Sequence, residues 1–412
     1  MATDNANPGH QTARVREVAL VFLRLGFTAF GGPAAHLALM EDEVVTRRKW
    51  IGREEFLELY TATNFIPGPN STELAIHLGH VRAGWPGLLV AGVCFIVPAV
   101  LIILPLAWAY IRFGTVPQAQ GPMRAAVACV IGIVAVAGWR FARSAVKDWF
   151  TGTIAAIAFG GAFLMTHFGF SQTDLLILAL AAIAGATRVT MRRPLAATRP
   201  TTMAWPILGA ASPIAVGSAL SSKLLAMTLT FMKVGATLFG SGYVLVSYLR
   251  NDLVLNHHWL RDDQLMVAIG VGQVTPGPLL TTATFIGFLL GHQWSGGSEG
   301  VAVGGALLAT TGIFLPSFVF VAILAPLWPR LRKSKRVRGA LEGMNAAVVA
   351  LILVVSIQLA QKTILAAPTP TGIISGSIIA ALSIVVLLVW NVNSAWLILA
   401  NIGVGWLMRG ML

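Results

Sequence analysis

Asn70, Ser71, Thr72 and Glu73 follow directly on Pro67, Gly68 and Pro69 in the stretch "IPGPNSTE". The prolines and glycine end one helix, and the next begins with backbone N–H groups that have no partner within it. Those groups and the helix dipole form an anion site. Side chains of Asn70, Ser71 and Thr72 can cap the new helix, and some can donate to a ligand oxygen. A second break, Pro276, Gly277 and Pro278, is followed by Thr281 and Thr282. Glycine breaks at Gly31–Gly32 and at Gly240, Ser241 and Gly242 offer a further pair of helix termini.

Arg24 and Lys233 each lie in an apolar helix a few residues before a glycine break. Cations within a membrane are costly and mark ion pathways, unless they snorkel to an interface. Two cations and several helix N-termini suit a small dianion. Glu73 would repel such an anion when ionised, so it is a proton-coupling candidate; the alternative is stabilisation of the helix start through the dipole. His36 and His77 are candidate proton relays or packing residues. Asn64 and Gln273 precede their P-G-P breaks by equal spacing and could hold the tip together or donate to substrate. Glu54, Glu55 and Glu58 read as solvated.

The elements that position these residues are membrane helices. Of 412 residues, 56% are hydrophobic and only 11% charged, where a soluble domain carries about 25% charged residues. Trp85–Tyr110 has no charge, and Gly300–Trp328, Ala346–Ala360, Gly372–Trp390 and Ser394–Met408 are similar. Runs of roughly 20 apolar residues match a bilayer core, and the short alternating strands of a barrel are missing from the pattern. The predicted class is an all-α polytopic integral membrane protein. A formal charge of +13 does not point to nucleic acid, because the basic residues fall in short loops between apolar runs. Cys94 and Cys129 lie in apolar runs and suggest neither disulfide nor metal, no ATP-binding P-loop occurs, and no cofactor is expected. Met1–Thr12 reads as a short cytoplasmic tail rather than a cleaved signal.

The chain also repeats. Pro67 is answered by Pro276, 209 positions on, and the same offset pairs Gly26 with Gly235, Arg24 with Lys233, Glu43 with Asp252, Trp50 with Trp259 and Thr72 with Thr281. After an insertion, Pro98 answers Pro316. Two homologous halves are expected, 14–190 and 221–412, joined by a connector over 191–220 that crosses the membrane once. The loop Arg330–Arg338 holds six basic residues, whereas its counterpart Arg112–Arg124 is nearly free of them apart from its ends. The reversed loop charges predict inverted-topology repeats. Arg53–Arg82 is expected to form a re-entrant helical hairpin with P-G-P at its tip.

The stretches "FTAFGGPAAHLALMEDEVV" and "PGPNSTELAI", with "ATLFGSGYVLVSYLRNDLV" and "VTPGPLLTTATFIGFLLG", resemble the chromate ion transporter family in its long-chain, two-domain form. Ser241, Glu73 and Asn70 depart from the family pattern, which has a glycine, a neutral amide and a small residue there. The resemblance implies a secondary carrier in a bacterial inner membrane that exports chromate and confers chromate resistance. Expected partners are a chromate- or sulfate-like dianion and the lipid bilayer, with a homodimer left open and nucleic acid excluded. Sulfate uptake or exchange is the alternative within transport. A passive channel stands behind these, and a membrane-embedded enzyme lacks a convergent acid–base or metal set.

Overall fold

A computed structural model describes residues 8–30, 33–114, 116–167, 174–191, 219–239, 244–331, 334–365, 369–390 and 392–408. All regular elements among them are helical. The first half contains α1 (Pro8–Thr28), α2 (Pro33–Glu41), a π-helical turn (Asp42–Arg47), α3 (Arg53–Thr63), α4 (Asn70–Phe113), α5 (Pro117–Ala145), α6 (Trp149–His167) and α7 (Asp174–Met191). The second contains α8 (Ala219–Thr237), α9 (Leu245–Leu249), a π-helical turn (Arg250–Asn256), α10 (Asp262–Val274), a 3-10 turn (Leu279–Thr281), α11 (Thr282–Trp294) and α12 (Glu299–Leu331). There follow α13 (Lys335–Leu359), a π-helical turn (Ala360–Ile364), α14 (Pro370–Val389) and α15 (Ser394–Leu407). Among the described residues five helices, α4, α5, α12, α13 and α14, are long and apolar enough to cross a membrane. The chain is an all-α, multi-pass membrane protein. Of the connector expected over 191–220, residues 192–218 lie outside the described residues.

Helix α4 is two limbs. Its backbone leaves helical geometry at Ala83 and at Gly84, whose φ of 64° favours glycine. A β-carbon on Gly79 would meet the carbonyl oxygen of Gly87 at 2.3 Å. Residues eight apart in a straight helix are about 12 Å apart, so the chain turns back on itself here. The first limb is the short helix expected after P-G-P; the second is the long apolar run from Trp85. Similarly, α11 turns back onto α12, with Gly287 against Gly305.

The helices sort into two groups. In one, α1 packs along α4, and α8 and α11 pack along α12. In the other, α13 packs on α5, α6 and α7, while α14 and α15 pack on α5. Small residues let backbones approach closely in both, as helix contacts in lipid require. A β-carbon on Gly26 would lie 2.9 Å from the Phe95 carbonyl oxygen, and one on Gly235 would lie 2.1 Å from that of Ile313. In the second group Gly185 faces the Gly339 carbonyl in the same way, at 2.0 Å.

Several backbone features recur 209 positions apart. Lys49 and His258 both take positive φ, 53° and 52°. Both follow a π-helical turn, and the Trp50 and Trp259 amides then donate back to Val44 and Leu253, each at 2.8 Å.

Candidate functional site

Each P-G-P tip is tied to the end of a broken helix in the other half of the chain. The Gly68 amide donates to the Leu238 carbonyl at 2.7 Å, and the Gly277 amide donates to the Ala29 carbonyl at 3.0 Å. Leu238 and Ala29 follow the last turns of α8 and α1. Gly68 and Gly277 hold φ of 141° and 95°, which an L side chain rarely adopts. The amide expected to be free at each tip is therefore used to join the halves.

Pro69 is the N-cap of α4, and no side chain caps it, contrary to the expectation for Asn70, Ser71 and Thr72. Asn70 instead donates to Asn64 at 2.7 Å, closing the tip as a clasp across Pro67, Gly68 and Pro69. Helical bonding begins with the Thr72 and Glu73 amides, both donating to the Pro69 carbonyl. The Asn70 and Ser71 amides stand ahead of that ladder, in the position an anion site requires. At the second tip Pro278 begins a 3-10 turn. There the Thr281 hydroxyl donates to the Pro278 carbonyl at 2.6 Å, and the Thr282 hydroxyl to that of Leu279 at 2.8 Å. Both hydroxyls are thus spent as donors on the turn following Pro276, Gly277 and Pro278. Gln273 accepts from Ser394 at 3.3 Å, while its own buried Nε2 makes no hydrogen bond.

The first tip collects buried polar atoms without partners: Thr72 Oγ1, both Glu73 carboxyl oxygens, and Ser317 Oγ from α12. A β-carbon on Gly68 would lie 2.1 Å from Glu73 Oε1 and 2.6 Å from Ser317 Oγ, so the bare glycine makes room for both. Carboxyl and hydroxyl face the same glycine, but in this geometry neither is paired. Glu73 is fully buried, and among the described residues no lysine or arginine pairs with it. His36, on α2, stands by the tie of the second tip, with Nε2 3.0 Å from the same Ala29 carbonyl that receives Gly277. A carbonyl only accepts, so His36 Nε2 carries the proton, and its buried Nδ1 is an acceptor without a partner.

The two cations stand beside acids rather than alone. Lys233 Nζ is 2.8 Å from Asp252, and Arg24 is 4.0 Å from Glu43. Glu43 and Asp252 lie in the π-helical turns Asp42–Arg47 and Arg250–Asn256 and are buried, while the Arg24 side chain is 64% exposed. The offset that pairs Arg24 with Lys233 also pairs these acids, so the signal was present in the sequence. Gly31, Gly32, Gly240, Ser241 and Gly242 lie outside the described residues. Glu54, Glu55 and Glu58 are exposed, as expected.

Sequence reasoning missed Ser317, the two carbonyl acceptors and a cavity of about 670 Å³ between α5, α10 and α14. The cavity is lined by Arg124, Arg261 and Lys362, opposed by Asp262 and Asp263, with Tyr110 at its wall. Tyr110 and Gly114 in its wall flank Arg112, which meets Glu299 at 3.1 Å. At the far end of the long limb of α4, Arg82 holds Glu17 at 2.7 Å, and Arg48 holds the same carboxylate at 3.0 Å.

A 30% identical relative, the "Chromate transport protein" of Cupriavidus metallidurans, aligns over 87% of this chain and 86% of its own length. The "Chromate transport protein" of Pseudomonas aeruginosa is 30% identical over 94% of this chain and 90% of its own. The "Probable chromate transport protein" of Synechococcus elongatus is 28% identical, covering 87% and 88%. No solved structure matches the chain. The pattern of the chromate transporter family matches twice, over residues 16–186 and 225–406, and the chain belongs to that family.

Proposed function

We propose that this chain is a secondary active transporter that exports chromate across a bacterial inner membrane by alternating access, with its substrate held between the two P-G-P tips. The observation that carries the reading is the reciprocal tie of Gly68 to Leu238 and Gly277 to Ala29. It brings the start of the helix after each P-G-P next to the broken end of the opposite α1 or α8. Such discontinuous helices surround the substrate in inverted-repeat transporters. The relatives named for chromate transport supply the substrate class.

The inverted-repeat reading is supported by features that recur at one offset: the two ties, the positive φ of Lys49 and His258, and the glycine contacts of Gly26 and Gly235. Charge supports the orientation. The end holding Arg48 and Arg82 faces the cytoplasm, and the end holding Arg112 and Lys362 faces outward. Helix α13 and its following turn run from Lys335 to Lys362, about 40 Å at 1.5 Å per residue, enough to place those lysines on opposite faces. The basic cavity then lies on the outer face, where a departing dianion meets Arg124 and Lys362. Rocking of the P-G-P group against the group around α13 would expose the tips to each side in turn. Glu73 is the group that couples this to protons.

Anion flux into inside-out vesicles tests the proposal. Chromate should accumulate against its gradient when a proton gradient is imposed and dissipate when the gradient is collapsed. Accumulation of sulfate but not chromate would replace the substrate. Flux that only follows the chromate gradient would make the protein a channel.

A further inference from the structure

The first limb of α4 carries Glu73, His77 and His80, spaced four and three residues apart. That spacing lines them up on one face of a helix. From Glu73 to His80 the helix rises about 10 Å. Burial grades along the line: Glu73 is fully buried, His77 is 2% exposed, and His80 is half-buried against Trp85, with ring centroids 5.0 Å apart. Arg82 and its partner Glu17 lie just beyond. Each of the three side chains has a buried polar atom without a hydrogen-bond partner: Glu73 Oε1 and Oε2, His77 Nε2 and His80 Nδ1. Ser317 Oγ, also unpaired, faces the tip end of the line.

Buried polar groups are nearly always paired, so a run of unpaired ones on a single helix face calls for a cause. A metal cage is not that cause, because among the described residues no three histidine, cysteine or acidic groups could hold a metal ion. Nor does packing require them. The positions 209 residues on are Thr282, Ile286 and Leu289, and that limb is buried from Thr282 to Gly291 with no titratable group on that stretch. Neighbouring elements bring these polar groups. From α1 comes Glu17, already held by Arg82 and Arg48. From α2 comes His36, bonded to Ala29, and α3 contributes Tyr60 and the exposed Glu54, Glu55 and Glu58. From α12 comes Ser317.

We propose that Glu73, His77 and His80 form a proton path from the P-G-P tip to the end of the protein that holds Arg82. The path rests on the reading of the chain as a proton-coupled oxyanion transporter, and it supplies the route that reading lacks. A proton taken up by the Glu73 carboxylate passes to the His77 ring, which accepts on one nitrogen and releases from the other. His80 then delivers it to water beside Arg82. One proton enters and one leaves, and each ring returns to its neutral form.

The test uses the whole protein in liposomes loaded with a pH-sensitive dye, in buffer alkaline enough to keep chromate a dianion. Two fluxes are followed: net chromate movement with its accompanying protons, and exchange of labelled for unlabelled chromate, which needs no net proton movement. His77→Gln should lower net proton-coupled flux by about ten-fold or more, the scale of a lost proton-transfer group, while exchange is unchanged. His80→Gln should act in the same direction and more weakly, since water reaches its end of the line. Full proton flux in the variant carrying both changes would overturn the path. So would loss of exchange in step with net flux, which is the mark of a packing role. A wild-type protein that moves chromate without protons would instead defeat the coupling reading itself, before any variant is made.

Discussion

The amide of Gly68 lies 2.7 Å from the carbonyl oxygen of Leu238, a hydrogen bond that joins the first P-G-P tip to the helix end of the other half. Its counterpart from Gly277 to Ala29 makes the joint reciprocal. Neither glycine can be replaced without strain. A side chain at positive φ costs about 1–2 kcal/mol, before any contact is counted. At Gly68 a methyl group would also displace Glu73 and Ser317, whereas at Gly277 it would press on Ala99 at 3.1 Å. Gly68→Ala should therefore abolish chromate flux and lower the melting temperature in detergent, and Gly277→Ala should do both less severely. Equal, mild effects at the two positions would show that the crowding at Gly68 has no consequence.

Arg24→Ala and Lys233→Ala should each reduce chromate flux by about ten-fold, the effect of losing about 1.4 kcal/mol, while the protein still inserts. Divalent chromate should lose more than a monovalent anion. The pairing with Glu43 and Asp252 sharpens the expectation, because Asp252→Asn frees Lys233 without removing it. That variant should keep chromate binding. Unchanged flux in the double Arg24→Ala, Lys233→Ala variant would leave both cations as interfacial anchors.

The parts of this site that sequence reveals are those written locally. Pro67, Gly68 and Pro69 announce a broken helix whatever surrounds them, and the repeat offset pairs cation with cation and acid with acid. The clasp between Asn64 and Asn70 also follows from short spacing. By contrast, Ser317 comes to the same glycine as Glu73 only because α12 packs beside the tip, more than 200 residues along the chain. The Ala29 and Leu238 carbonyls carry no residue-type signal at all, since every residue has one. Capping by Ser71 or Thr72 was a sound local expectation, and it fails because Pro69 takes the N-cap position and Asn70 turns to Asn64.

Orientation can be read by cysteine labelling from outside. Cysteines placed at Pro117–Gly121 should react with an impermeant reagent on intact cells, and cysteines at Arg330–Arg338 should react only after lysis. Positions Arg53 and Arg82 should behave alike, both shielded in intact cells. Labelling of 117–121 and 330–338 from the same side would remove the inverted-repeat argument.

Asp148, in the loop between α5 and α6, gives a pH-dependent prediction. The Arg188 guanidinium, 2.6 Å away, and then the Thr151 amide hold its carboxyl well below the usual aspartate range. A carboxyl depressed in this way adds stability once the pH is above its unfolded value, and the contribution fades as the pH falls through its folded value. Asp148→Asn should thus melt at a lower temperature than the wild type near neutral pH. The two melting temperatures should converge in strong acid. A constant gap at every pH would assign the effect to packing.

Replacing Pro67, Gly68 and Pro69 together by alanine tests the whole arrangement. Alanine favours a continuous helix, and α3 would then run through the tip into α4. The Asn70 and Ser71 amides would be consumed by intrahelical bonds and no longer face an anion. The tie from Gly68 to Leu238 would be lost in the same stroke, because a helical amide at that position bonds within its own helix. Chromate flux should fall to background while the protein is still made and inserted. Ser71→Ala and Thr72→Val should be milder, since a neutral hydrogen bond contributes about 0.5–1.5 kcal/mol net. Glu73→Gln should retain chromate binding and lose the dependence of flux on the pH gradient. If the triple alanine variant transports normally, neither the helix start at Asn70 nor the joint at Gly68 takes part in moving the anion.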